Sequence, residues 1–537
     1  MEPINQETKK IMERCKGRAR DVGLIVPDDT LEFIVTNRDL IHLKPKIMIP
    51  THYDYWVQDI EVLGEAEKYK YFPHNPYEAV INSRPAMSFY NDNNPDWLNI
   101  MIFYHVLAHI DFFRNNIFFK QTWHDDFVGK ALTDKQLMEQ LRSEKGRWVD
   151  YVIEFSRGID NIVGFYEDLS EEFACSKIKA PERVRFYFDV FLQKIKKTPY
   201  DEYLRELRRY NNQIKDDQNQ GIGSHAEDIF FIDINSRYPE FQALLKKHKE
   251  EKRKPKDLLE YLLQKSLFLN REDNLWMKSV VKIVRDTSLY FQPQSRTKIM
   301  NEGWASYWHE KLFLSDERIK GHLIDFSIIN ARVTSPGRLG LNPYALGLRL
   351  FKHIQEMGDK GKDSYEFQLL NDIAERNNFD SKAGKGNELI FKVRENHSDR
   401  TFITQYLDQD FMDRYQFFVA REDQEGYDPD RGTIPYTLKN RKAEDFRQML
   451  FDKLLDPPII RVDEEKTDKT LHLVHDFKGK KLVRRYVPHV MEGIEFLWGA
   501  PVKLETTEIK KDDSGKVIYK KVLYTMENKQ FAKEELE

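Results

Sequence analysis

Apolar residues recur along most of this chain at intervals of three and four positions, which places them on one face of an α-helix. The pattern predicts helices over most of the first 454 residues, with Pro293 breaking the chain between two of them. The predicted helices cover residues 97–120, 133–175, 181–197, 199–215, 256–268, 273–289, 296–313, 320–333, 344–357, 364–377, short pieces within 399–420, and 436–454. We therefore expect a mainly α fold.

The pattern changes after residue 455, where apolar and polar residues alternate as they do in strands with one buried face. Strands are predicted at 457–463, 470–475, 481–485, 501–507 and 516–525, with a helix at 486–497. Residues 512–515 (Asp-Asp-Ser-Gly) supply a hairpin turn between the last two strands. An earlier extended segment is predicted within residues 77–83.

These patterns divide the chain into three parts. Residues 1–357 are predicted to form a large helical core domain, and residues 358–455 an irregular and helical connection. Residues 456–537 are predicted to form a small α+β C-terminal module. The length of the last part is compatible with an ordinary domain size.

The amino-acid composition limits which classes of protein are compatible with this sequence. The 537 residues are 40% hydrophobic, enough for a large core, and the net charge of −4 gives no basic excess that would favour nucleic acid as a partner. Two cysteines cannot form a disulfide framework or a cysteine-based zinc ribbon. No apolar run is long enough for a membrane span, and no secretory signal is visible, so we expect a cytoplasmic protein.

The predicted helix at 97–120 carries two histidines on one face. His105 and His109 are four residues apart, the spacing with which one helix chelates a metal ion through two imidazoles. The other residues of this helix are apolar enough to bury it almost all round. A plain alternative is that both histidines are core residues bonded to backbone or carboxylate groups.

The predicted helix at 296–313 carries Glu302 and His309 on a common face, with the small residues Ala305 and Ser306 between them. Small residues allow another helix to approach closely. Seven helical residues rise about 10.5 Å, so Glu302 and His309 cannot easily reach one ion together. We therefore predict Glu302 as the third metal ligand and place His309 beside the ligands or facing a substrate.

Two histidines and one carboxylate form the ligand set of a mononuclear hydrolytic zinc site. The Asn-Glu-Gly segment at 301–303 resembles the one that provides the glutamate ligand of gluzincin aminopeptidases. Where their His-Glu-x-x-His motif has a general base, this chain has Val106, which cannot accept a proton. Any hydrolytic base must lie elsewhere, and the candidates are Glu78, His309 and Glu310, with Glu78 the first choice.

Several sequence blocks, in order over nearly the whole chain, resemble the SpoVR family, the stage V sporulation protein R-like proteins. They are Tyr77–Ser83, the His-x3-His-x2-Phe-Phe-x-Asn-Asn block at 105–116, Thr297–His309, Asn342–Gly347, and Leu497–Gly499 followed by Val502–Leu504. The resemblance implies a bacterial cytoplasmic protein whose family is named for spore-cortex formation but also occurs in bacteria that form no spores. It also implies a PrkA-type serine kinase and a protein with a von Willebrand A-like domain as partners.

The leading hypothesis is a zinc-dependent hydrolase of peptide or amide bonds, linked to cell-envelope, spore-cortex or stress physiology. Asn82 and Asn116 are predicted to bond the imidazole N–H groups or a substrate amide, and Glu310 and His52 to lie beside the ligands or face the substrate. The alternative is a metal-stabilised scaffold or regulator of the kinase, which a fourth protein ligand would favour. A non-haem iron oxygenase would use the same two histidines and carboxylate.

Overall fold

The structure is a computed structural model that describes residues 2–36, 78–122, 127–163, 182–219, 226–251, 255, 257–336, 341–422, 436–451, 453–454, 457–477, 479–511 and 517–536. The chain divides into two compact units. The first comprises Met1–Ser170 and Asp257–Glu537, and the second comprises Glu171–Lys256. The predicted boundaries at residues 357 and 455 stay predictions.

A small mixed sheet and four helices begin the first unit. The elements are β1 (Glu2–Pro3), α1 (Gln6–Asp21), β2 (Leu31–Val35), β3 (Glu78–Ile81), β4 (Met87–Asn91), α2 (Asp96–Asn115), α3 (Phe127–Lys145) and α4 (Trp148–Arg157). The strand order is β1-β2-β4-β3, and only β2 and β4 run parallel. Helix α2 begins after Pro95 and ends at Asn116, whose extended backbone cannot continue the helix. The predicted strand within 77–83 is present as β3.

The second unit has its own core of aromatic side chains. Its elements are α5 (Glu182–Arg185), a π-helical segment (Phe186–Ile195), α6 (Tyr200–Asn219), α7 (Ala226–Arg237) and α8 (Phe241–Glu251). The helices predicted at 181–197 and 199–215 are confirmed. The sequence pattern did not indicate α7 and α8.

Long helices build the centre of the first unit. They are α9 (Leu258–Lys265), α10 (Leu275–Arg296), α11 (Lys298–Leu314), α12 (Leu323–Val333) and α13 (Pro343–Lys360). The predicted break at Pro293 is wrong, because α10 continues through this residue to Arg296. A proline removes one intrahelical hydrogen bond, and burial of Tyr290, Gln292 and Pro293 holds this turn against the core.

The region predicted as an irregular connection is also rich in short helices. Its elements are α14 (Tyr365–Leu369), α15 (Ile373–Asn378), α16 (Gly386–Asn396), α17 (Asp399–Tyr406), α18 (Gln409–Tyr415), β5 (Val419–Glu422), β6 (Tyr436–Asn440) and α19 (Ala443–Phe451). The helix predicted at 436–454 is therefore wrong at its beginning, where Tyr436–Asn440 pairs antiparallel with β5.

A five-stranded sheet forms the C-terminal region. Its elements are β7 (Ile459–Val462), β8 (Leu471–Asp476), α20 (Val487–Trp498), β9 (Val502–Lys511), β10 (Val517–Glu527) and β11 (Gln530–Glu535), in the order β11-β10-β9-β8-β7. The hairpin between β9 and β10 is confirmed, although its turn lies outside the described residues. The strand predicted at 481–485 is wrong, since this stretch has no sheet partner and Val483 is exposed.

The fold is thus mostly helical with a C-terminal region that contains a sheet. The buried side of the sheet shares one apolar core with α3, α4, α9 and α10. A second, larger core surrounds α2, α11 and α13. None of the helices in the described parts of the chain is both long and apolar enough to span a membrane.

Candidate metal site

Helix α2 places both predicted histidines in the larger core. His105 and His109 are 5% and 6% exposed, and their ring centroids lie 4.6 Å apart. Val106, at the position of the absent general base, is fully buried. The i,i+4 spacing therefore does what the sequence predicts and points two imidazoles out of one helix in the same direction.

Helix α11 packs against α2 along the face that carries Glu302. Ala305 and Ser306 are fully buried in this contact, as expected for small residues between two helices. The indole Nε1 of Trp304 donates a hydrogen bond of 2.9 Å to the buried Asp111 of α2. This bond joins the two helices close to the predicted ligands, since Asp111 follows His109 by two residues and Trp304 follows Glu302 by two residues.

Glycines fix the other side of α11. Gly303 meets Gly347 of α13 so closely that a methyl group on either residue would overlap the backbone of the opposite helix. The first turn of α11 is held by Asp399, whose carboxylate accepts hydrogen bonds of 2.8 and 2.9 Å from the amides of Ile299 and Met300. Together these contacts determine where Glu302 points.

The three predicted ligands converge. Glu302 Oε2 lies 3.6 Å from His109 Nε2 and 3.9 Å from His105 Nε2, and the ligand atoms all lie within 4.8 Å of one another. Two ligands bound at 2.0–2.2 Å in tetrahedral geometry are separated by about 3.4 Å. The three side chains are therefore spaced as a single ion of this kind requires, with small adjustments.

The hydrogen bonds around the imidazoles indicate which ring nitrogen faces Glu302 as an acceptor. His109 Nδ1 lies 2.9 Å from Asn301 Oδ1, so this nitrogen is the donor and Nε2 carries the lone pair. His105 Nδ1 lies 2.8 Å from His309 Nδ1, and the backbone carbonyl of Ala305 also accepts a hydrogen bond from the His105 ring.

The tautomer of His309 follows from the residues behind it. Asn330 Nδ2 donates to Glu310 Oε2 at 3.2 Å, which turns Asn330 Oδ1 toward His309 Nε2 at 3.0 Å. His309 must then donate from Nε2 and accept at Nδ1, so His105 donates from its own Nδ1. Glu310 is in turn held by Lys352 at 2.5 Å.

Three acceptor atoms therefore face one another: the Nε2 atoms of His105 and His109 and the Oε2 atom of Glu302. Among the described residues, no hydrogen-bond donor reaches this buried carboxylate oxygen. Burial raises the pKa of Glu302. Burial, with smaller effects from His109 and His309, lowers the pKa of His105 well below its usual range. Neutral imidazoles are the form that binds metal ions, and three converging lone pairs are stable when a metal ion or a proton lies between them.

His309 is not positioned as a fourth ligand or as a free base. It is 2% exposed, and its two nitrogens face His105 and Asn330. Burial lowers its pKa to about 4. Glu310 is likewise engaged, with Asn330 and Lys352. His309 contacts His105 directly, and Glu310 holds Asn330, the other partner of His309, so both residues help to orient His105.

The structure gives the two predicted asparagines other partners. Asn82 Nδ2 donates to Thr122 Oγ1 at 2.9 Å, and Asn116 Nδ2 donates to the carbonyls of Arg394 and His397 at 2.9 Å each. The bonds expected from them to the imidazoles are made instead by Asn301 and His309. Both asparagines join chain segments where a helix or strand ends, and this explains their polar character in buried positions.

Two further candidates are not settled by these contacts. Glu78 begins β3, and its side chain is outside the described part of the structure. His52 also lies outside the described residues. Their predicted roles stay predictions.

A pocket of about 560 Å³ opens beside two of the three predicted ligands, His105 and Glu302. It is lined by Met101, His105, Lys298, Glu302, His309, Asn330, Val333, Leu341, Asn342, Pro343 and Tyr344. Tyr344 makes a side-chain hydrogen bond to Glu302. The sequence patterns did not single out Asn301, Asn330, Lys298 or Tyr344 as site residues, although Lys298, Asn301 and Tyr344 stand in the blocks that carry the family resemblance.

Comparison with known proteins agrees with that resemblance. A family model described as "SpoVR like protein" matches residues 4–455. The chain belongs to the SpoVR family. A curated relative, the uncharacterized protein YcgB of Escherichia coli (strain K12), is 24% identical over 502 residues, covering 88% of this chain and 86% of the relative. No solved structure matches the chain.

Proposed function

We propose that this SpoVR-family protein is a metal-dependent hydrolase in which His105, His109 and Glu302 bind one zinc ion. The observation that carries the proposal is the convergence of three acceptor atoms, within 4.8 Å of one another, at the wall of a pocket of about 560 Å³. Three protein ligands leave one position for water, as in catalytic zinc sites.

The position of His309 favours an open site over a closed structural one. A scaffold function would be supported by a fourth protein ligand, which completes the coordination of structural zinc. His309 is the nearest candidate, but its ring nitrogens are engaged by His105 and Asn330. The pocket side of the site is thus the side on which a water molecule and a substrate could reach the ion.

When bound, zinc lowers the pKa of its water toward about 7, so hydroxide is available near neutral pH. The chain holds the ligands in the required tautomers and keeps them in an apolar surrounding. Among the described residues that line the pocket, Glu302 is the only carboxylate, so a separate base would have to come from elsewhere. Glu78 stays the predicted base, and peptide or amide bonds stay the predicted substrates.

Metal analysis of protein purified without a histidine tag tests the ligand set. We expect about one zinc per chain in the unmodified protein, and no bound zinc after His109→Ala. His489, an exposed histidine of α20, supplies the matched control, because His489→Ala should keep the metal. A His109→Ala protein with full metal content would refute the proposed site.

Turnover separates hydrolysis from other uses of the site. Zinc-loaded protein is incubated with a peptide and N-acyl amino acid library, and products are followed by mass spectrometry. We expect cleavage that is lost in Glu302→Gln and on chelation. Glu78→Gln with unchanged turnover would remove Glu78 as the base.

The same ligand triad also suits non-haem iron, and one observation favours keeping that candidate. Redox chemistry at Fe(II) needs open coordination positions but no general base. Among the described residues that line the pocket, only Glu302 could supply such a base. Anaerobic purification followed by elemental analysis distinguishes the two. Iron in place of zinc, with substrate-dependent oxygen consumption, would replace the hydrolase proposal.

We also propose the two partners that the family resemblance implies, a PrkA-type serine kinase and a von Willebrand A-like protein. A regulatory role would couple the kinase to the metal state of this chain. Binding of purified kinase to zinc-loaded protein and to Glu302→Gln, measured by titration calorimetry, tests this coupling. Equal affinities for both forms would separate the kinase from the site.

A further inference from the structure

We propose that the pocket beside the candidate metal site takes substrates that carry a negative charge, and that Lys298 is the side chain that recognises this charge. The inference rests on the proposed metal site, which it deepens by naming a substrate class. Lys298 is the first residue of α11, four positions before Glu302, and is exposed at the pocket wall.

The polar side chains of the pocket wall are almost all committed to the protein itself. Asn342 caps α13 through Oδ1, which accepts from the amides of Tyr344 and Ala345 at 3.0 and 3.3 Å. Its Nδ2 donates to the carbonyls of Val333 and Ser335 at 2.8 and 2.9 Å. No polar atom of the Asn342 side chain is left to bind a ligand.

The remaining amide and hydroxyl groups bond Glu302 or the residues beside the proposed ligands. Asn330 bonds both His309 and Glu310, and Tyr344 bonds Glu302. In the described part of the chain, the Lys298 ammonium forms no salt bridge with a carboxylate, although its positive charge acts on nearby Glu302. It is therefore the lining group that is available to a bound molecule.

The net charge of the pocket with a metal ion bound also favours an anionic ligand. A divalent ion contributes +2, Glu302 contributes −1 and Lys298 contributes +1, which sums to +2. The other described lining residues carry no charge when His105 and His309 have the neutral tautomers that their hydrogen bonds indicate. A bound hydroxide would leave +1. A desolvated site with excess positive charge favours an anionic ligand.

The rest of the wall is apolar. Met101, Val333, Leu341 and Pro343 line the pocket beside the ligands. The chemistry that fits is a small amide or peptide with a carboxylate on one side of the metal-bound carbonyl and an apolar group on the other. Charged hydrogen bonds to an ammonium are the stronger kind, so Lys298 would contribute to both affinity and orientation.

Two matched hydroxamates test the assignment. Succinic acid monohydroxamate and its terminal amide bind zinc through the same group and differ only in the charge at the far end. Their affinities for zinc-loaded protein are measured by calorimetry with the unmodified chain, Lys298→Gln and Lys282→Gln. Lys282 is an exposed lysine of α10 that does not line the pocket.

We expect the unmodified protein and Lys282→Gln to bind the acid about tenfold more tightly than the amide. Lys298→Gln should lose this preference while its affinity for the amide stays the same. An unchanged preference in Lys298→Gln, or no preference in the unmodified protein, would overturn the assignment. Zinc content is measured in every sample. Loss of zinc or of all hydroxamate binding in the unmodified protein would show instead that the metal proposal itself fails.

Discussion

Two glutamates in different cores of the first unit illustrate how a structural carboxylate differs from a functional one. Glu508 of β9 is buried in the C-terminal sheet, where it accepts hydrogen bonds from Tyr524, from Lys533 at 2.8 Å and from Arg484 at 2.7 Å. These donors hold the pKa of Glu508 below its usual value despite burial.

Glu302 has the opposite surroundings. Its Oε2 atom faces the acceptor nitrogens of His105 and His109, and burial raises its pKa. A carboxylate that is fully compensated by the protein contributes to stability, whereas one placed against other acceptors is stable only when a cation or proton joins it. The comparison is the reason why we propose a ligand site at the α2–α11 contact and not in the C-terminal sheet.

The largest expected effect is on metal binding. Glu302→Gln should weaken zinc binding by about 10³-fold, or roughly 4 kcal/mol, because it removes the one anionic ligand. The metal-free variant should be as stable as the unmodified protein or slightly more stable, because an amide can donate to the imidazoles. Competition with a chromogenic chelator measures the affinity. Unchanged zinc affinity would place Glu302 with Glu508 as a structural residue.

The next effect concerns the helix packing that aims Glu302. Gly303→Ala should lower the free energy of unfolding by about 3 kcal/mol, because its methyl group overlaps the backbone at Gly347. Gly17 of α1 has open space around it, so Gly17→Ala should be neutral or mildly stabilising. Chemical denaturation compares the two. A Gly303→Ala protein as stable as Gly17→Ala would contradict the close approach of α11 and α13.

Glu508→Gln should lower the stability of the protein and leave zinc binding unchanged, which is the converse of Glu302→Gln. It should lower the free energy of unfolding by about 2 kcal/mol, because Lys533 and Arg484 lose a partner while remaining partly solvated. Zinc affinity should not change. Denaturation and chelator competition on the same preparation measure both quantities. Reduced zinc affinity without a loss of stability would remove the distinction between the two glutamates.

A smaller effect is expected from the residues behind the ligands. Asn330→Ala should weaken zinc binding by about tenfold. Without Asn330, the tautomer of His309 is no longer fixed, and the tautomer of His105, which depends on His309, is no longer fixed either. Asn396, at the exposed end of α16, provides the control Asn396→Ala. Equal zinc affinities in the two variants would show that the chain from His105 to Glu310 does not orient the ligand.

The smallest effect is a difference in pH dependence. The folded pKa of Glu508 lies below the unfolded value of about 4.5, so its stabilising contribution is present above that pH and is lost as the pH falls through the folded pKa. The stability difference between the unmodified protein and Glu508→Gln should therefore shrink on acidification from pH 7 to pH 3. A difference that grows over this range would contradict the compensation described for Glu508.

The sequence could predict that His105 and His109 lie side by side because helical spacing is a local property. The i,i+4 pair His105 and His109 shares a face in any α-helix. The rise of about 10.5 Å between Glu302 and His309 already indicated that the two residues would not both bind one ion. The family resemblance, confirmed over residues 4–455, joined two segments that spacing alone could not join.

What spacing could not supply was the identity of partners brought in by tertiary packing. Asn330 reaches His309 from α12, and Lys352 reaches Glu310 from α13, and no periodicity predicts those crossings. Asn82 and Asn116 failed as imidazole partners because their amides satisfy backbone or hydroxyl groups elsewhere. The break predicted at Pro293 failed for a related reason, since burial in the core outweighed a local preference.

X-ray absorption at the zinc edge of tag-free, zinc-loaded protein tests the central claim most directly. The account predicts one zinc per chain with two imidazole nitrogens, one carboxylate oxygen and one water, at distances of about 2.0–2.2 Å. His109→Ala, prepared in the same way, should hold no zinc. Three imidazoles around the zinc would mean that His309 closes the site, and a shell of oxygens without imidazole would mean that His105, His109 and Glu302 do not form a metal site.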